Sequence, residues 1–286
     1  MRQIRQYFAH LCAILFLVSC AHDHAPANAE KPSTAQPEVS LLKEKLEIPG
    51  LNRKRQIRAY LPPGYASSDQ RYPVLYMHDG QNLFDDATAY AGEWRVDETL
   101  NALARSNKLE LIVVGIDNGQ DKRMTELNPW DNPRFGASEG KEYMEFVVKV
   151  LKPLIDERYR TKADRANTAI MGSSMGGLIS HYAIIHYPEV FSKAGIFSPA
   201  YWAAPPSFDY FAANPPAKDA RLYFLSGGEE GGSMVPDVKK VFASNSPADK
   251  PNPNASLKIV SGAKHNEAFW SAEFEQAVLW LFSPDK

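Results

Sequence analysis

"TAIMGSSMGGLISHYAIIHYP", Thr168 to Pro188, runs from β-branched and apolar residues through a knot of glycines and serines into a helix-like pattern. Its centre, Gly172-Ser173-Ser174-Met175-Gly176, has the G-x-S-x-G spacing of a nucleophile elbow, a sharp turn from strand to helix. Of the two adjacent serines, only Ser174 has a glycine two residues away on each side. The turn is tight enough that a side chain at 172 or 176 is expected to clash with neighbouring backbone. The middle residue then stands proud of a sheet at a helix N-terminus, where the backbone N–H of Met175 can point at a developing oxyanion. A glycine-rich turn can also serve close packing alone. What the other strand ends supply decides between these readings.

Outward from this segment, short apolar runs closed by Gly, Ser or Pro recur: "RQIRAYLP" (55–62), "PVLYMHDG" (73–80), "LELIVVGID" (109–117), "KAGIFS", "RLYFLSG" and "SLKIVSG". Helical patterns lie between them at about 93–105, 141–158, 175–187, 235–243 and 266–281. Continuous apolar strands alternating with helices predict an α/β fold with a mainly parallel central sheet and helices on both faces. Ligands in such folds sit beyond the carboxyl ends of the strands. The chain length of 286 residues suits one such core, and no internal repeat is visible.

An activated serine needs a base and a group that orients the base. In the α/β-hydrolase order, acid and histidine follow the nucleophile in sequence. Among the seven histidines, His10, His22 and His24 lie in the N-terminal segments, His78 precedes the serine, and His181 and His186 fall in the following helix. Only His265, in "SLKIVSGAKHNEAFW", has the required order and a loop position. "RLYFLSGGEEGGSMV" offers Glu229 and Glu230 at a strand end, with Asp237 a weaker third candidate. One of the adjacent glutamates is expected to accept the Nδ1–H of His265 and the other to be solvated, because two buried carboxylates side by side would repel. A second oxyanion donor is expected after an earlier strand, in "YMHDGQNLFDD". There Gly80 permits an unusual backbone and the N–H of Gln81 is the donor.

The first forty residues have a different character. Arg2 and Arg5 precede the apolar run "LCAILFLV", which is too short to span a bilayer and fits the h-region of a signal peptide. The run ends in "LVSC", Leu17 to Cys20, which resembles the lipobox of bacterial lipoproteins. That resemblance implies a signal peptide over residues 1–19, lipidation of Cys20 and export to the cell envelope. With no aspartate after the cysteine, it implies the periplasmic face of the outer membrane in a Gram-negative cell. Residues 20–40, rich in Ala, Pro and polar side chains, read as a flexible tether, and residues 41–286 as the catalytic domain. With Cys12 and Cys20 the only cysteines, no disulfide framework is possible in a chain cleaved before Cys20. The formal net charge of −2 provides no basic field for nucleic acid. There is no H-E-x-x-H or comparable ligand spacing, so neither metal nor cofactor is expected.

Taken in order, "LYMHDGQNLFD", "TELNPW", "MGSSMGGLIS", "FSPAYWA", "GGEEGGSMV" and "KHNEAFW" span Leu75 to Trp270. Together they resemble the esterase family that includes enterochelin esterases, S-formylglutathione hydrolase, feruloyl and acetylxylan esterases and the mycolyltransferases. The resemblance implies an α/β-hydrolase fold without a large lid domain, with Ser174 as nucleophile and His265 as base. The family's acid falls best on Glu230, although many relatives carry Asp at that place. It also implies a serine esterase acting on a small-molecule ester, with siderophore trilactone hydrolysis one candidate and feruloyl, acetyl or short-acyl ester hydrolysis another. Trp94, Trp130, Tyr201 and Trp202 stand in or near strand-end loops and are expected to line an aromatic pocket. Arg123, Arg134 or Lys122 would meet an acidic or catecholate substrate. The reading from another class is a binding lipoprotein that keeps the fold without the chemistry.

Overall fold

A computed structural model describes residues 31–283, and the part from Pro32 onward is one compact unit. Its centre is an eight-stranded sheet. The strands are β1 (Val39–Leu41), β4 (Ile57–Tyr60), β5 (Val74–His78), β6 (Ile112–Ile116), β7 (Thr168–Ser173), β8 (Lys193–Phe197), β9 (Arg221–Gly227) and β10 (Ala255–Val260). They lie in the order β1-β4-β6-β5-β7-β8-β9-β10. From β6 to β10 every pairing is parallel, while β4 pairs antiparallel with both β1 and β6. A separate antiparallel pair joins β2 (Leu46–Ile48) to β3 (Arg53–Arg55). This is the α/β-hydrolase architecture, with no large lid domain among the described residues.

The central strands are apolar throughout because both faces are covered. Side chains alternate across the pleat. Val74, Tyr76, Ile112, Val114 and Ile170 enter one core, while Leu75, Met77, Val113, Ala169 and Met171 enter the other. The second core is closed by α1 (Val96–Arg105) and α8 (Glu267–Phe282), through residues such as Leu100, Phe274 and Val278. The first is closed by the helical run α3 (Gly140–Phe146) and α4 (Lys152–Arg158), by α5 (Met175–His186), and by α6 (Pro206–Ala213) and α7 (Met234–Asn245). A π turn over Val147–Leu151 joins α3 to α4 immediately before Pro153, whose missing N–H removes an α-helical bond there. The seven expected strands and five helical patterns are all present. The short strands β1 to β3, the one-turn helix α2 (Arg123–Glu126) and α6 have too little periodicity to stand out in the sequence.

The stretch expected as a tether ends earlier than residue 40. Ser33 Oγ and Thr34 N–H donate to the Asp85 carboxylate at 2.8 and 3.0 Å, Gln36 N–H donates to Asp97 at 2.8 Å, and Val39–Leu41 pairs with β4. Backbone donors matched to two carboxylates outweigh the polar composition that suggested a free linker. Residues 1–30, with the expected signal peptide and Cys20, lie outside the described residues. No helix among the described residues is long and apolar enough to cross a membrane.

His181, on α5, is buried as a packing residue. Its ring stacks on Phe211 at 3.7 Å and its Nδ1 meets the Tyr201 hydroxyl at 2.9 Å. Burial pushes its pKa down to about 3, and that of buried His78 down to about 4. Both remain neutral in the folded protein at pH values where the unfolded chain takes up a proton. The stability they confer is therefore complete above about pH 6.5 and drains as pH falls towards 4, by about 1.4 kcal/mol per pH unit for each histidine. Urea midpoints at pH 7, 5.5 and 4.5 should show this decline, and His181→Phe should reduce its slope by about 1.4 kcal/mol per pH unit. At pH 7 the same substitution should cost about 1–3 kcal/mol, because the Tyr201 hydroxyl loses its partner.

Candidate active site

β7 delivers Ser174 to a turn in which its backbone takes φ 58° and ψ −118°, and α5 begins at the next residue. A side chain is normally excluded from this region, so the surroundings must hold it. They do so from three sides. The Ser174 N–H donates to the Phe197 carbonyl at 2.9 Å, and its carbonyl accepts from Ala200 N–H at 3.0 Å and Leu178 N–H at 3.0 Å. A Cβ on Gly172 would lie 2.8 Å from the carbonyl carbon of Gly176. Gly177, outside the five-residue motif, is tighter still, because a Cβ there would lie 2.6 Å from the Phe197 oxygen. The same carbonyl that anchors the serine thus excludes any side chain at 177. Ser173 is buried at the end of β7.

The turns after β9 and β10 are zipped together. Gly228 N–H donates to Val260 O at 2.7 Å and Glu229 N–H to Ala263 O at 2.9 Å. This sets Glu230 opposite His265, whose Nδ1 lies 2.9 Å from Glu230 Oε2. The other carboxylate oxygen accepts from Gly227 N–H at 2.6 Å and from the Ser198 hydroxyl, which itself accepts from Trp270 Nε1 at 2.9 Å. The Glu230 side chain is fully buried and that of His265 about one-third exposed, which leaves the Nε2 edge for the cavity. Glu229 is exposed, and Asp237 accepts from Ser233 Oγ at 2.6 Å. Asn266 caps α8 by accepting from Phe269 N–H at 3.0 Å, so His265 is held just outside a fixed helix end. Its ring stands edge-on to Trp270 at 4.8 Å. Sequence reading missed Ser198 and Trp270. Their signal was "FSPA" at a strand end and a tryptophan five residues after the histidine.

A cavity of about 890 Å³ opens over the carboxyl ends of the strands, and Ser174, His265 and Gln81 all line it. Met175 follows the serine at the first position of α5, with its side chain in the core. Gln81 sits in a 3-10 turn, Gly80–Asn82, directly after β5. The unusual backbone expected at Gly80 belongs instead to Asp79, at φ 57°. Gly80 is needed for close approach, since a Cβ there would lie 2.7 Å from the Gly115 carbonyl carbon.

The expected pocket residues divide. Trp94 lines the cavity and packs on Phe197 and Trp270 at 5.4 and 5.9 Å. Trp130 does not line it. Its indole is enclosed by Tyr182, Tyr210 and Phe211 between α5 and α6. Trp202, half exposed, rests against Phe135 away from the cavity, and Tyr201 is buried on His181. Aromatic rings near strand ends fill the gaps between helices as readily as they line pockets, and the sequence alone does not separate the two. Arg123 lines the cavity, but its guanidinium grips the buried Asp79 carboxylate through two bonds of 2.6 and 2.8 Å. Burial by itself would raise the Asp79 pKa. Arg123, with help from Asn118, more than reverses this and holds it below the usual carboxylate range.

A family model described as "Putative esterase" matches residues 48–281. The chain belongs to this esterase family. It is 26% identical over 245 residues to the uncharacterized protein YbbA of Bacillus subtilis, covering 81% of this chain and 94% of that one. It is 28% identical over 143 residues to an endo-1,4-beta-xylanase/feruloyl esterase of Xylanibacter ruminicola, a match covering 49% of this chain but only 19% of the relative. It is also 25% identical over 155 residues to an iron(III) salmochelin esterase of Escherichia coli, covering 54% and 34%. Among solved structures, a ferulic acid esterase superposes with a TM-score of 0.65 at 18% identity, covering 85% of this chain and 98% of that one. The enterobactin esterase of Shigella flexneri, crystallised with enterobactin, gives 0.71 at 18% identity, covering 88% and 61%. The protein is therefore an esterase of α/β-hydrolase fold.

The two adjacent glutamates make a direct comparison. Glu230→Gln should lower kcat on a chromogenic ester by about 10² to 10⁴, since a neutral amide leaves the imidazolium without its counter-charge. Glu229→Gln should stay within about twofold, as expected for an exposed side chain.

Proposed function

We propose that this esterase cleaves carboxylic esters through an acyl-enzyme on Ser174. The observation that carries the reading is the left-handed serine at the elbow, facing one cavity with a histidine bound to a buried glutamate. Ser174 Oγ attacks the ester carbonyl as His265 Nε2 takes its proton. Glu230 stabilises the imidazolium. The N–H groups of Met175 and Gln81 receive the oxyanion. As the tetrahedral intermediate collapses, the carbon–oxygen bond breaks and His265 returns the proton to the departing alcohol. Water, deprotonated by the same histidine, then attacks the acyl-enzyme, and the proton passes to Ser174 Oγ as the acid leaves.

For the substrate, a neutral ester with an aromatic or short acyl group is the better supported class. Trp94 and Trp270 give the cavity an aromatic wall, Tyr90 is 94% exposed at its edge, and two of the relatives carry feruloyl or ferulic acid esterase names. A siderophore trilactone is the second reading, supported by the relatives named for salmochelin and enterobactin. It loses weight because the cation expected to meet a catecholate is engaged by Asp79. We also propose export with a lipid anchor at Cys20, which rests on the "LVSC" sequence.

Ser174→Ala should reduce hydrolysis by at least about 10³-fold with its thermal unfolding unchanged, while Ser173→Ala should retain activity within about tenfold. A panel of a feruloyl sugar ester, p-nitrophenyl acetate and a catecholate trilactone should rank the trilactone last. Trilactone turnover orders of magnitude above the others would reverse the substrate assignment. Cys20→Ala should move the protein from the membrane to the soluble fraction of the producing bacterium, and wild-type protein found wholly soluble would remove the anchor.

A further inference from the structure

Apart from its histidines, the cavity is lined by three acidic or basic side chains: Asp79, Arg123 and Glu267. Two of them cancel. The Arg123 fork is closed on Asp79 by both of its bonds, and turning it toward a substrate would strand a buried carboxylate. Glu267 has no such partner, since among the described residues no ion pair reaches it. It is half-buried at the first position of α8, two residues from His265. Burial raises its carboxyl pKa. Its own backbone N–H lowers it, the nearby Asp79 raises it, and His265 and Arg123 pull it down. Asp79, His265 and Arg123 line the same cavity as Glu267. Asn266 supplies the side-chain cap of α8, and Glu267 in the first turn also lies where the helix dipole favours an acidic group.

We propose that Glu267 is a specificity-determining residue, giving the cavity a net negative charge that admits neutral and cationic esters and repels anionic ones. The inference rests on the reading of this cavity as the ester site. Inside a partly closed cavity a carboxylate without an ion-pair partner acts across several ångströms more strongly than in bulk water, and salt still weakens it. Aromatic or short acyl groups on neutral sugars pass this filter. Free carboxylates close to the scissile bond, and polyanionic iron–catecholate complexes, do not. The filter therefore separates the two substrate classes that the relatives' names suggest.

The test uses the full chain and three p-nitrophenyl esters of similar size: a butyrate, a hemisuccinate and a 4-trimethylammoniobutyrate. In the wild type, kcat/KM for the butyrate should exceed that for the hemisuccinate by about tenfold or more at low salt, and the ratio should shrink at 0.5 M salt. Glu267→Gln should lower the ratio by about tenfold, and Glu267→Asp should keep most of it. The cationic ester should lose ground relative to the butyrate in Glu267→Gln. An unchanged ratio in Glu267→Gln, or a wild-type ratio indifferent to salt, would overturn the charge filter while leaving Ser174-dependent hydrolysis in place. Butyrate cleavage that is as fast in Ser174→Ala as in the wild type would overturn the esterase site itself, and the filter with it.

Discussion

The Phe197 carbonyl is the contact on which the site depends. It accepts the Ser174 N–H at 2.9 Å and leaves room only for glycine at 177, where a Cβ would lie 2.6 Å away. The end of β8 therefore holds the Ser174 turn in a conformation that a serine would not adopt alone. One residue later the Ser198 hydroxyl reaches in the other direction and bonds Glu230. Two residues after that, Ala200 N–H returns to the Ser174 carbonyl. Three residues at the end of β8 and just beyond it, Phe197, Ser198 and Ala200, thus hold both the Ser174 turn and Glu230. Neither could shift without loosening the other.

The site's carboxylates are kept apart by their partners. Asp79 is neutralised by Arg123, Glu230 is surrounded by donors and paired with His265, and Glu267 has no ion-pair partner among the described residues. Among the residues lining the cavity, this leaves Glu267 as the carboxylate without an ion pair. Arg123 shows why a cation near a strand end is a poor guide to substrate charge. Its bonds to Asp79 are satisfied before any ligand arrives.

Most of the fold was legible in the chain. Each of the seven short apolar runs singled out among the described residues became a strand, because strands buried on both faces cannot afford polar positions. The positions of Ser174, His265 and Gln81 at strand ends were legible for the same reason, and all three line the one cavity. What escaped was either too short for a period, as in β1 to β3, or settled by contacts distant in sequence. Trp130 and Trp202 share a composition and a neighbourhood with Trp94. Only packing against α6 and Phe135 removes them from the cavity. The stretch 33–40 looks polar and free until Asp85 and Asp97, more than fifty residues away, claim its donors.

The sequence by itself determined the layered sheet, the sharp strand-to-helix turn at Ser174 and the histidine that follows the last strand, because steric limits and strand burial act locally and leave a local signature. Tertiary structure decided between Glu229 and Glu230, since that choice depends on two turns zipped together and on a hydroxyl thirty-two residues away. It also decided which charge faces the cavity. A charge acts through space on whatever lies nearest, and nearness across a folded chain is set by packing rather than by order along it.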